Sequence, residues 1–227
     1  MRAIDKGPEP KALPAYRAVP GATYDGKDFT PVKDAIRDAI LRDQFHLCCY
    51  CLRRISSETQ PHPTKPDVPA VVKMKIEHWQ SQDAFPHLQL VWSNLLGACL
   101  GGQGSPWSAQ TCDTRKGEAA ITLNPLDPKH IAMLYCTSSG RLESKNSTFQ
   151  QDIDVRLGLN HTILVRERKT MLDRALEHLK HRYPTSGFPV GKVKNLIHEL
   201  ETPTDGKLPE FCNALRLWAQ KRFGELV

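Results

Sequence analysis

A pair of cysteines separated by two residues, in Cys48-Cys49-Tyr50-Cys51, constrains this chain more than any other feature. A C-x2-C knuckle aims two thiolates at one ion from a tight turn, and a tetrahedral site then needs two more donors from elsewhere. Cys99 and Cys112 are the expected second pair, a knuckle interrupted by an inserted loop. The four thiolates are expected to bind one structural Zn²⁺, because a closed four-sulfur shell leaves no position for water. Cys49, Cys136 and Cys212, the rest of the seven cysteines, read as ordinary core residues. No disulfide framework is expected. The start Met1-Arg2-Ala3-Ile4-Asp5-Lys6 has no apolar signal core, and no apolar run approaches the ~18 to 20 residues that span a bilayer. A cytoplasmic, reducing setting follows, where closely spaced cysteines point to metal.

Between the two cysteine pairs lies the second informative stretch. A β-like run, Val71-Val72-Lys73-Met74-Lys75-Ile76, ends in Glu77-His78-Trp79. Asn94 follows in Trp92-Ser93-Asn94-Leu95-Leu96, and then Cys112-Asp113-Thr114-Arg115-Lys116-Gly117. A carboxylate beside an imidazole at a strand end, an Asn in the next loop and an oxygen ligand on a short helix are the parts of a one-metal phosphodiesterase. His78 would be the general base, since an imidazole titrates near neutral pH. Glu77 and Asp113 would bind Mg²⁺ or Mn²⁺, hard ions that take a few carboxylates and leave room for water and phosphate. Asn94 would hydrogen-bond across the loop and fix the Glu77-His78 segment. Arg115 and Lys116 would touch phosphates. A Glu-His pair alone is commonly a solvated strand end; the zinc frame on both sides gives this one its weight.

The formal charge of +6 permits an anionic partner without specifying one. Residues 1 to about 30 read as an extended arm lying on the fold or mobile beside it. A helix then starts with Thr30 as cap and Pro31 at its first turn, with Val32, Ile36, Ala39 and Ile40 along one stripe. Gly101 to Gln110 reads as a surface loop, and Ile131 to Cys136 as a strand pairing across Ser139-Gly140 with Arg141 to Leu142. Helices are expected from an Asn160 cap through Leu179, over Val193 to Leu200, and from Pro209 with Phe211, Leu215 and Trp218 on one face.

These readings combine into an α+β fold: an arm and helix over 1–45, a zinc-stabilised ββα-metal core over 46–149 and a helical lobe over 150–227. That lobe's basic residues Lys180, Arg182, Lys192 and Lys194, set among Glu177, Glu199 and Glu201, read first as a solvated charged face, and as a functional surface they rank partner docking above phosphate tracking. The rival from another class is a zinc-stabilised, non-catalytic module that binds nucleic acid or serves as an adaptor. It gives Glu77, His78, Asn94 and Asp113 no reason to occur together.

Five ordered stretches, Met1 to Lys6, Cys48 to Cys51, Lys75 to Trp79, Asn94 to Cys99 and Cys112 to Gly117, resemble the PtuB-like HNH endonuclease subunits of Septu-type and retron-associated anti-phage defence systems. The resemblance implies a toxic effector nuclease cutting DNA or transfer RNA. It implies partnership with a PtuA-like ABC-type ATPase and, in retron forms, with a reverse transcriptase and its DNA-RNA product. Many HNH proteins carry His or Asn after the last cysteine, where this chain has Asp113.

Overall fold

In a computed structural model, residues 1–61, 69–184 and 188–224 are described. After the N-terminal arm, which contains the short helix α1 (Ala12–Arg17), comes α2 (Thr30–Asp43). Three two-stranded antiparallel sheets follow: β1 (Thr59–Gln60) with β2 (Val71–Val72), β3 (Lys75–His78) with β4 (Leu95–Ala98), and β5 (Leu134–Cys136) with β6 (Leu142–Ser144). Helix α3 (Cys112–Lys116) follows β4, α4 (Pro128–Ala132) precedes β5, and α5 (Ser147–Gln151) continues into a π turn over Asp152–Arg156. The chain ends in α6 (Thr162–Arg182), α7 (Val190–Glu201) and α8 (Ala214–Phe223).

The arm is neither extended throughout nor loose. Met1, Ile4 and Leu13 are buried, and Ile4 N–H donates to Pro125 O at 3.0 Å. Lys6 donates to Trp92 O at 2.9 Å and Leu95 O at 2.5 Å, with its ammonium 3.1 Å from the Trp92 ring centroid. This pins the arm over the end of the β3–β4 hairpin.

Several boundaries differ from the sequence expectation for local reasons. Thr30 is the first residue of α2 and not its cap; Phe29 flanks the helix and no side chain caps it. The run from Val71 splits after Lys73, whose N–H still continues the β1–β2 pairing to Glu58 O at 2.8 Å, and from Lys75 the chain pairs with β4 instead. Ile131 lies in α4, leaving Leu134–Cys136 to pair with Leu142–Ser144. His161, and not Asn160, caps α6; Asn160 instead brackets Leu142, accepting from its N–H and donating to its C=O, both at 2.8 Å. The last helix starts at Ala214, after turns in which Phe211 has φ 55°.

One apolar core runs from the arm through the hairpins to α8, so the three expected segments share buried side chains. Within this core the backbone comes close to side chains at Gly97, where a Cβ would lie 2.5 Å from Ile40 and 2.8 Å from Ile55. A bare backbone lets α2 lie directly on β4. Gln44, at the end of α2, holds this contact by accepting from Gly97 N–H at 2.7 Å and donating to Gly97 O at 2.8 Å. The knuckle uses the same strand, with Cys49 N–H on Gly97 O at 2.9 Å. No helix among the described residues is long and apolar enough to cross a membrane.

Candidate metal centres and active site

The four cysteines expected to act together do converge. Their sulfurs lie within 4.8 Å of one another, all four buried. Cys51 Sγ and Cys99 Sγ are 3.7 Å apart; a tetrahedron with metal–sulfur bonds of about 2.3 Å has edges of about 3.8 Å. Arg53 N–H points at Cys51 Sγ at 3.5 Å, and Cys112 N–H is taken by Leu157 O at 2.8 Å. Cys112 itself sits at φ 56°, a left-handed conformation that non-glycine residues adopt only when the surroundings impose it.

The electrostatics of this set ask for a cation. Burial opposes ionisation of Cys48, yet hydrogen bonds from Cys112, Cys49, Cys51 and Cys99 outweigh it and hold Cys48 well below the usual thiol range. Cys112 is pushed well above that range by its contacts with Cys48, Cys51 and Cys99 and then by burial. Four converging thiols able to hold little negative charge alone fit a divalent ion that ionises its ligands. Cys136 and Cys212 are buried away from this group, and burial raises each to about 11.

Beside the cysteine cluster stands a β–β–α unit made of β3, β4 and α3. The register pairs Glu77 with Leu96 and His78 with Leu95, which puts the Glu-His pair at the end of β3 where it leaves the hairpin. Cys112 opens α3 and Asp113 follows it, so one turn of helix supplies both a sulfur donor and a carboxylate.

Glu77 is 2% exposed. Its Oε1 accepts from Tyr50 OH at 2.6 Å and from the Lys116 ammonium at 2.7 Å. Lys116 also donates to His78 O at 2.9 Å. Asp113 contacts Glu77 and pairs with Lys75 at 3.0 Å. Burial, then Asp113, pushes Glu77 well above the ordinary carboxylate range, with Lys116 acting the other way. For Asp113, hydrogen bonding to Glu77 and the charge of Lys75 outweigh burial and hold it below its usual value. Two touching carboxylates, one reluctant to ionise, suit a shared hard cation.

His78 is buried, with its ring edge-on to Tyr24 at 4.5 Å between centroids. Its Nε2 lies 3.0 Å from Gln89 O. A carbonyl oxygen only accepts, so Nε2 carries the proton and the lone pair of a neutral ring is on Nδ1. Asn94 accepts from Gln80 N–H at 2.8 Å and donates to Gln80 O at 3.0 Å and Leu88 O at 3.2 Å. Trp79 N–H donates to Asn94 O at 3.0 Å. These bonds close the loop between β3 and β4 directly behind His78.

The two basic residues expected on phosphates both make contacts within the chain. Lys116 is buried as the charge partner of Glu77. Arg115 lies 3.8 Å from the Trp107 ring centroid, and its Nε donates to Val155 O at 2.7 Å. In the helical region Arg182 reaches Glu199 at 4.0 Å and, with Lys192, flanks the Tyr183 ring. Tyr50 is the site residue that the sequence did not expose. Its place inside the knuckle was visible, but nothing in the spacing says that its hydroxyl crosses to Glu77.

This is a mixed α+β protein whose hairpin-and-helix unit rests on a four-cysteine cluster able to hold zinc, consistent with an HNH nuclease core. No family model matches the chain. It is similar to a Vibrio cholerae (serotype O1 biovar El Tor) protein named "Retron Vc95 putative HNH endonuclease", with 25% identity over 193 residues covering 78% of this chain and 85% of that protein.

Proposed function

We propose that this protein is a metal-dependent HNH endonuclease that hydrolyses phosphodiester bonds in DNA or transfer RNA. The observation that carries this reading is the meeting of Glu77 and Asp113 beside a histidine whose Nε2 is committed to a backbone carbonyl. Catalysis needs a base for water, charge on the phosphate side and a fixed geometry between them. His78 takes the proton from water at Nδ1, in the tautomer that Gln89 O enforces. Asn94 holds the turn after His78. Lys116 fixes Glu77 Oε1 and leaves Oε2 for other duty. Mg²⁺ or Mn²⁺ held by Glu77 and Asp113 would supply Lewis-acid stabilisation of charge on the leaving oxygen. The four cysteines hold Zn²⁺ and have no part in chemistry.

The wider role proposed is a toxic effector in anti-phage defence, partnered by a PtuA-like ABC-type ATPase and, in a retron setting, by a reverse transcriptase and its DNA-RNA product. The retron in the name of the Vibrio cholerae relative supports that setting. A neighbouring ATPase gene, with co-purification of the two proteins, is the expected result.

Cleavage of DNA and transfer RNA with Mg²⁺ or Mn²⁺ added and withdrawn tests the activity. His78→Ala should abolish cleavage with zinc content unchanged. Wild-type cleavage by that variant would remove His78 from the mechanism, and no metal-dependent cleavage by the purified complex would favour a non-catalytic adaptor.

A further inference from the structure

Trp107 is the most exposed large apolar side chain among the described residues, at 57%. It lies in the insertion that separates Cys99 from Cys112, on a single 3-10 turn, Trp107–Ala109. An indole on a surface loop is ordinarily free to turn or to fold down. This one is built in place. The Arg115 guanidinium lies 3.8 Å from its ring centroid, close enough for cation–π attraction, and Arg115 Nη1 donates to Trp107 O at 3.3 Å. Arg115 is itself clamped by Val155 O. Its stem occupies the space where a side chain at position 158 would go: a Cβ on Gly158, at φ 58°, would lie 2.6 Å from Arg115 Cδ. The loop is tied from within by Gln110 to Ser105 O at 2.7 Å and Thr111 N–H to Gly101 O at 2.9 Å, and α3 anchors it through Thr114 to Leu100 O at 2.8 Å.

From this we infer that Trp107, held by Arg115, is a stacking platform for an unpaired nucleobase of the substrate. The inference rests on the nuclease reading and adds the substrate form: a strand with an accessible base, single-stranded or looped, rather than an intact duplex. Two facts favour a nucleobase as the occupant. Arg115 lies over the indole yet more than half of the side chain stays open, the arrangement that accepts a flat π surface. Arg115, which holds the indole, stands on the one-turn helix α3 that also carries Asp113, so the platform is tied to the element that supplies a proposed metal ligand. Every base has a π face, so such a contact selects strand form over sequence.

The test is binding of fluorescently labelled single-stranded DNA, single-stranded RNA and duplex DNA by full-length protein carrying His78→Ala to prevent cutting. Adding Trp107→Ala should weaken single-strand binding about 5- to 100-fold, the range for loss of one base–aromatic stack. Trp107→Phe should restore most of it, and duplex binding should change little; DNA and RNA arms of equal response mean that the base alone is read. Unchanged single-strand binding by Trp107→Ala overturns the platform, and if wild-type protein still cuts, the nuclease reading survives. Equal losses on single strands and duplex also overturn it, because the indole would then serve binding in general. If wild-type protein neither binds nor cuts nucleic acid, the nuclease reading fails and the platform with it.

Discussion

Tyr50 is buried between two candidate zinc ligands, and its hydroxyl donates to Glu77 Oε1 at 2.6 Å. One short bond therefore ties the knuckle to the carboxylate proposed to hold Mg²⁺, which makes Tyr50 a positioning residue. Together with Lys116 it occupies one oxygen of Glu77, which leaves the other for the proposed metal. Tyr50→Phe removes the donor and keeps the packing. We expect a loss of about 1 to 3 kcal/mol in stability, typical for a buried hydrogen bond to a charged group. The diagnostic readout is the Mg²⁺ or Mn²⁺ concentration giving half-maximal cleavage, which should rise about 10- to 100-fold, as for outer-sphere supports of metal ligands generally. An unchanged metal requirement would reduce Tyr50 to a packing role. His78 illustrates the same dependence on neighbours. Its residue type suggests a base, whereas the carbonyl of Gln89 selects the nitrogen.

At the scale of elements, α2, the knuckle and β4 form one assembly around Gly97, and the knuckle has little secondary structure of its own. Short strands and a one-turn helix do not fold independently. An ion held by the four cysteines would therefore contribute to folding, and structural zinc supplies on the order of 10 to 16 kcal/mol in small cysteine-bound domains. Elemental analysis should find about one zinc per chain. Cys48→Ser or Cys112→Ser should lose it and unfold the β3–β4–α3 region, detected as a collapse of the cooperative thermal transition. A strong chelator should act likewise on wild type. A folded, zinc-free cysteine variant would overturn this architecture. The hairpin of β5 and β6 was legible from turn chemistry at Ser139-Gly140, whereas the break between β2 and β3 was not, because β propensity is continuous from Val71 to Ile76 and only the partners differ.

On the scale of the whole molecule, the arm closes over the hairpin through a buried lysine. Burial, opposed chiefly by Asp43, lowers Lys6 to about 7 from its usual 10.5. Between those values the unfolded chain binds a proton at Lys6 that the folded chain does not, so stability rises with pH across that window, by at most about 1.4 kcal/mol per unit. Below about pH 7 the cost of the buried charge is fully present. Denaturant unfolding from pH 7 to 9 should therefore show a positive slope that Lys6→Met flattens. Equal slopes in the two proteins would mean that Lys6 titrates as if in water. The sequence left open whether the arm lies on the fold or moves beside it, since Pro, Gly and Lys over the first thirty residues carry no periodicity, and it did not single out Met1, Ile4 and Leu13 as buried.

What the sequence determined by itself is the donor inventory: which cysteines can share an ion, which carboxylates and histidine stand near a strand end, and in what order. Spacing carries that information because a knuckle and a strand end are local structures. Tertiary structure decided how each side chain is used. It turned Lys116 inward onto Glu77, set Arg115 against Trp107, selected Nδ1 of His78 and joined Tyr50 to Glu77. Those outcomes depend on contacts between residues distant along the chain, or on which way a side chain leaves a single turn of helix, and neither leaves a periodic trace in the order of amino acids.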